Sequence, residues 1–197
     1  KTGTLTQNRM SVAATVIGGQ CVAIRANEEV PLPQDFALVA SLCHDVQRAN
    51  GSGWQGSSTE IALIEFASAC GAPADLLMQR HPRRDMKQRS EHHPYMVTLH
   101  DDADGGYLVT VKGRPAEVLA RCTRWFDGKS VARLTAPRRK LLLRENEDLA
   151  AAGNRVLALA IRRQQEAVLG ETGELTWLGL VALADPLRPE IAESIAR

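Results

Sequence analysis

Lys112 and Gly113 stand together at the end of a β-rich run and are followed by Arg114-Pro115, a pair suited to a helix start. In that setting an ammonium and bare backbone N–H groups face one cavity, and the glycine lets a ligand come close to the main chain. Such groups suit a phosphate chain or the polar edge of a base. Glu60, in Gly56-Ser57-Ser58-Thr59-Glu60, offers different chemistry. An ionised carboxylate only accepts hydrogen bonds, so it favours an exocyclic amine and disfavours a carbonyl. Both have plainer readings: a solvated strand-end lysine with a turn glycine, and a first-turn glutamate facing the helix dipole. A strand-end lysine is also expected outside the core, so that replacing Lys112 should spare the fold.

The elements that must position these residues follow from periodicity and turn chemistry. Ser11 to Ile17 and Cys21 to Arg25 read as a hairpin turned by Gly18-Gly19. Pro33 opens a helix from Gln34 to about Arg48, with Phe36, Val39, Ala40, Cys43 and Val46 on one face. A Gly/Ser loop then leads to a helix from Glu60 to Ala69, capped by Ser58 or Thr59 and ended by Gly71. Pro73 starts a short helix to about Gln79. Strands are expected at about Arg84 to Arg89, Tyr95 to Leu99 and Tyr107 to Lys112, with a helix from Pro115 to about Arg121. Ala136 to Ala152 is a further helix whose basic start, Arg138-Arg139-Lys140, opposes the dipole and is expected to be solvated or to face an acid. Strands Arg155 to Ile161 and Leu175 to Ala184 close the pattern. Hairpins joined by helix pairs imply an α+β fold, a mainly antiparallel twisted sheet flanked by helices.

Composition narrows the function classes. The 197 residues carry 44% apolar side chains, and Lys+Arg 24 against Asp+Glu 23 gives a net charge of +1. That balance asks for no nucleic-acid partner. No run of about 18 apolar residues is present to cross a membrane as a helix. Cys21, Cys43, Cys70 and Cys122 are far apart and form no C-x-x-C pair, which suits packed, reduced thiols rather than zinc. No histidine set has metal-ligand spacing, so no metal site is expected in the chain itself.

Three segments in order carry a resemblance: KTGTLTQNRM (Lys1 to Met10), VKGRPAEVLARC (Val111 to Cys122) and DPLRPE (Asp185 to Glu190). Together they resemble the P-type ATPases, the phosphoenzyme-forming cation pumps, and most closely the calcium-pump-like branch. The resemblance implies an aspartate nucleophile immediately before Lys1, with Lys1, Thr2 and Thr4 around the phosphoryl group it accepts. It implies that Lys112 and Gly113 line an adenosine pocket, that Glu60 accepts from the adenine amino group, and that Arg155 reaches the nucleotide phosphates. Asp185 and Arg188 would contact phosphate at a hinge between domains. On this likeness residues 11–183 form a nucleotide-binding domain inserted into a phosphorylation domain, of which 1–10 and 184–197 are stubs. ATP or ADP and Mg2+ would be the ligands, and the partners would be the phosphorylation, actuator and transmembrane domains of the same chain. The piece would be a monomeric, cytosolic part of an integral membrane protein, inactive in isolation.

One stretch departs from the family pattern. Across Pro82 to His100, Arg89 sits where the adenine-stacking Phe belongs, His92 and His93 replace Glu-Arg, and Pro94 replaces a pocket lysine. Arg114 also stands where Ala is usual and brings added positive charge toward the phosphates. Arg89 could stack through its planar guanidinium, and His92 or His93 could add a flat ring. The alternatives are a pump-derived regulatory or structural domain that no longer binds nucleotide, and a cap-bearing haloacid-dehalogenase-type phosphatase. The latter does not account for Glu60, the Lys-Gly segment and DPLRPE together.

Overall fold

The computed structural model describes residues 9–25, 30–49 and 53–185. In chain order the elements are β1 (Ser11–Ile17), β2 (Gln20–Ala23), α1 (Gln34–Leu42), β3 (Gln47–Arg48), β4 (Trp54–Gln55), α2 (Ser58–Ala69), α3 (Ala74–Arg80) and β5 (Arg83–Lys87). They continue with β6 (Tyr95–Asp101), β7 (Tyr107–Gly113), α4 (Pro115–Ala120), β8 (Cys122–Phe126), β9 (Val131–Arg133), α5 (Ala136–Ala151), β10 (Arg155–Gln164) and β11 (Leu175–Ala184). The main sheet runs β2-β1-β11-β10-β7-β6-β5, with β8 paired to β11 and β9 to β8. Every pairing in it is antiparallel except β11 with β8. This is the α+β architecture expected from the sequence.

Helices cover both faces of the sheet, and alternation along each strand divides the core in two. On β6, Tyr95, Val97 and Leu99 join the cluster that includes Val118 and Leu119 of α4 and Leu142 and Leu149 of α5. Met96, one residue out of phase, joins the opposite cluster with Phe36 and Leu42 of α1 and Leu63 of α2. With both faces covered, β10 and β11 read as near-continuous apolar runs, Val156 to Ile161 and Leu178 to Ala184.

Several boundaries differ from the sequence expectation. Helix α1 stops at Leu42 instead of reaching Arg48. Beyond Cys43 (φ −82°, ψ 74°) the chain leaves the helix, the Asp45 N–H donates to Glu60 Oε2 at 3.1 Å, and Gln47–Arg48 pairs with Trp54–Gln55. A remote carboxylate and a small hairpin thus outcompete helix continuation. Strand β5 ends at Lys87, so Arg89 lies on the following loop, which is turned by reciprocal Ser90–His93 backbone bonds of 2.9 and 3.1 Å. Strands β8 and β9 were not expected. They are short, and β8 is stabilised by pairing Cys122 beside Leu175, a contact no local pattern reveals. The residue preceding α2 is Ser57, and no side chain caps that helix.

The basic start of α5 is met in three ways: Lys140 is exposed to solvent, the Glu145 carboxyl lies within electrostatic reach of Arg138, and the fold supplies further partners. The Arg138 guanidinium lies 4.0 Å over the Trp125 ring, and Arg139 donates to the Leu119 and Cys122 carbonyls. Carbonyl dipoles and a ring face take up the charge that opposes the helix dipole.

Candidate functional site

Antiparallel register brings four element ends to one end of the sheet. Gly113 at the end of β7 pairs with Tyr95 at the start of β6 and with Ala158 of β10, and Arg155 at the start of β10 pairs with Leu183 of β11. The first turn of α2 lies beside them. Between these ends is a cleft of about 300 Å³ lined by Thr59 and Glu60, Arg89 and Ser90, Pro94 to Met96, Lys112 to Arg114 and Arg155 to Leu157.

At the base of the cleft Lys112 Nζ donates to Glu60 Oε1 at 3.1 Å, with the two side chains 5% and 3% exposed. Glu60 Oε2 accepts the Asp45 N–H. Burial pushes the Glu60 carboxyl up, the Asp45 carboxyl adds to that shift, and the Lys112 ammonium opposes it. Asp45 is held below the usual carboxylate range, first by its hydrogen bond with Glu60 and also by Gln88, whose Nε2 donates to Asp45 Oδ2 at 2.7 Å. Lys112 is therefore part of the buried structure, contrary to the expectation that a strand-end lysine stays outside the core. The reason is Glu60, which supplies a paired acceptor at a depth where an unpaired ammonium would not persist.

Gly113 has a packing role. A Cβ there would collide with Tyr95 Cα and Cβ and lie 2.7 Å from the Pro94 carbonyl oxygen. The expected bare N–H groups are also reduced. The Arg114 N–H donates to Pro94 O at 2.9 Å, Pro115 has none, and α4 is only six residues long. Tyr95 is the one aromatic residue among the described residues that line the cleft, but it is 2% exposed and its ring packs on the opposite sheet face, with Val97, Leu99 and Val118. Its hydroxyl is 2.8 Å from His93 Nε2, the His93 ring lies 4.4 Å from its own, and the Arg121 guanidinium stands 4.3 Å over it. Neither His92 nor His93 lines the cleft.

The rim is cationic. Arg89, Arg114 and Arg155 are exposed, come from three different segments, and form no ion pair or side-chain hydrogen bond among the described residues. Among the described residues four cations, these and Lys112, thus line the cleft against one carboxylate, Glu60. The arrangement can receive an anionic chain at its mouth.

Comparison with known proteins places the fold. Residues 33–190 match the family model for the P-type ATPase cytoplasmic domain N. The chain belongs to this family. Its relatives include Calcium-transporting ATPase 1 of Lactococcus lactis, 32% identical over 205 residues, covering 100% of this chain and 23% of that protein. Cation-transporting ATPase pma1 of Synechocystis is 33% identical over 229 residues, covering 99% and 24% respectively. Plasma membrane calcium-transporting ATPase 4 of Bos taurus is 28% identical over 233 residues, covering 100% and 18%. This chain thus spans about a quarter or less of the relatives it matches.

Within this N domain, Glu60, Arg89, Lys112, Gly113 and Arg155 meet in the cleft. Asp185 does not line it. It sits just past β11, where Asp185 Oδ1 accepts the Arg9 N–H at 3.3 Å, at the same end of the sheet as Arg155. Lys1, Thr2, Thr4 and Arg188 lie outside the described residues. Thr59, Ser90, Met96, Val156 and Leu157 also line the cleft and were not among the site residues expected from sequence. The first could have been found as the neighbour of Glu60 on the helix start, and Met96 from strand alternation. Asp45, which holds Glu60 through its N–H, had no sequence signal, because its position depends on the early end of α1.

Proposed function

We propose that this N domain binds ATP for a cation-transporting P-type ATPase and presents the phosphates to an aspartate carried immediately before Lys1. One observation carries the reading. Glu60, Arg89, Lys112, Gly113 and Arg155, widely spaced in sequence, line a single cleft at the end of the sheet where β1 begins and β11 ends. In this reading residues 11–183 are the inserted nucleotide-binding domain, and 1–10 and 184–197 return to the phosphorylation domain. A nucleotide seated with its base inward then projects its phosphates past Arg89, Arg114 and Arg155 toward those two connections. Lys1, Thr2 and Thr4 would surround the accepted phosphoryl group, and Asp185 and Arg188 would act at the hinge.

Mg2+ would come with the nucleotide, held by phosphate oxygens, because the one carboxylate that lines the cleft among the described residues is engaged by Lys112 and the Asp45 N–H. Phosphoryl transfer depends on positioning and metal, so the N domain alone supplies orientation and charge but no chemistry. The intact protein would be an ATP-driven cation transporter with this domain on the cytosolic side, joined to actuator, phosphorylation and transmembrane domains.

A titration of the 197-residue chain with ATP and ADP, followed by amide NMR, tests the reading. Binding with a Kd of roughly 0.1 to 10 mM is expected for an open cleft with few anchors. Shifts should centre on Thr59, Met96, Gly113 and Val156, without phosphate release. A second reading, a pump-derived domain that has lost nucleotide binding, is favoured by Arg89 and Pro94 and by the closed Glu60–Lys112 pair. Unchanged cleft amides at saturating ATP would select it.

A further inference from the structure

We infer that Asp45, which does not line the cleft, is a positioning residue for it: the turn it occupies fixes Glu60 on one side and, through Gln88, the loop carrying Arg89 on the other. The inference rests on the nucleotide-binding reading above and adds to it what sets the spacing between Glu60 at the cleft base and Arg89 at its rim.

Asp45 sits in the turn after α1, and that turn is fastened from several sides. The Asp45 N–H donates to Glu60 Oε2 at 3.1 Å, and Arg83 of β5 donates to the His44 carbonyl at 2.7 Å. Val46 packs so closely on Gly56 that a Cβ there would collide with it. Glu60 is held by this turn and by Lys112, one bond to each oxygen. A carboxylate oxygen has two lone pairs, so acceptor capacity remains for an exocyclic amine. Asp45 orients Glu60 without consuming it.

The Asp45 side chain serves the other segment. Its Oδ2 accepts from Gln88 Nε2 at 2.7 Å, and Gln88 immediately precedes Arg89. Among the described residues, no other side chain from 88 to 92 is hydrogen-bonded outside β5. At the far end of the loop His93 is held by the Tyr95 hydroxyl at 2.8 Å and by its reciprocal backbone bonds with Ser90. Arg89 thus hangs between two anchors, one of which is Asp45. A lone surface hydrogen bond contributes little, but this one starts from a backbone already fixed at both neighbouring residues. Ordering a loop at the moment of binding costs affinity, and a clamp that orders it beforehand removes that cost without touching the ligand.

The test is amide NMR titration of the 197-residue chain with ATP, comparing variants at 45 and 88 with the parent. Asp45→Ala and Gln88→Ala should each weaken ATP by about threefold, and the double variant by no more than either alone. Asp45→Asn keeps an oxygen for Gln88 and should bind within about twofold of the parent. In an Arg89→Ala background neither alanine substitution should cost anything further, a result that general loosening of the fold would not give. Parent-like binding by Asp45→Ala, additive losses at 45 and 88, Asp45→Asn as weak as Asp45→Ala, or an undiminished loss without Arg89 overturns the inference and leaves ATP binding in place. Gln88→Ala, at an exposed position, carries the test alone and with Arg89→Ala should the residue 45 variants fail to fold. Unchanged cleft amides in the parent chain at saturating ATP overturn the nucleotide reading, and the inference with it.

Discussion

Lys112 and Glu60 are 52 residues apart in sequence and form a buried ion pair of 3.1 Å beneath the cleft floor. Because the pair is nearly dry, it is costly to break on one side and cheap to replace as a whole. Lys112→Ala should leave the Glu60 carboxylate uncompensated and destabilise the domain by about 3–5 kcal/mol. The double variant Lys112→Met with Glu60→Leu should recover most of that. Urea denaturation of the three proteins checks this. A lysine variant as stable as the parent would mean that Glu60 takes up a proton instead of remaining charged.

Arg89 lines the same cleft as Glu60 and Lys112, on the loop after β5. Arg89→Ala should weaken ATP binding by about 0.5–2 kcal/mol, the range of a cation–π contact. Arg89→Phe should retain stacking at lower ordering cost but lose charge, so ATP affinity should hold while its salt dependence falls. Calorimetry at two ionic strengths reads both effects.

Gly113 is packed against the Pro94–Tyr95 backbone. Gly113→Ala should cost about 1–3 kcal/mol through forced displacement of β6, the range for overpacking. Because Tyr95 and Met96 also line the cleft, the same substitution should perturb their amide signals. Thermal unfolding and amide spectra of the variant provide the measurement.

His44 and His100 are buried beside Arg83, and burial lowers each pKa to about 4. In the unfolded chain a histidine titrates near 6.5. Between those values the unfolded chain binds more protons than the folded one, so stability present above pH 6.5 is lost as pH falls toward 4. The expected loss is on the order of 1–3 kcal/mol per histidine. The raised Glu60 carboxyl works in the opposite direction, since the folded state then binds its proton first. Among the described residues neither ring nitrogen of His44 has a hydrogen-bond partner, and its ring meets Trp54 edge-on at 5.8 Å. His44→Phe should therefore be neutral or stabilising at pH 7 and should flatten the decline below pH 6.5. Urea midpoints at pH 5 and pH 7 for both proteins check the sign.

Much of the architecture is legible in local pattern. The apolar, β-rich runs at Tyr95 to Leu99 and Tyr107 to Lys112 become β6 and β7, and Pro115 and Gly153 mark real helix limits because φ restriction and backbone freedom act within a few residues. The Thr59-Glu60 and Lys112-Gly113 segments are likewise readable as site material from residue type and spacing. Their state is not. That Glu60 and Lys112 neutralise one another, that Asp45 ends α1 early by donating to Glu60, and that Tyr95 is claimed by His93 and Arg121 depend on side chains meeting across elements. Residue type determined which groups could contact a nucleotide. Tertiary structure decided which of them remain free to do so, because a buried charge or hydroxyl must find a partner wherever the fold supplies one.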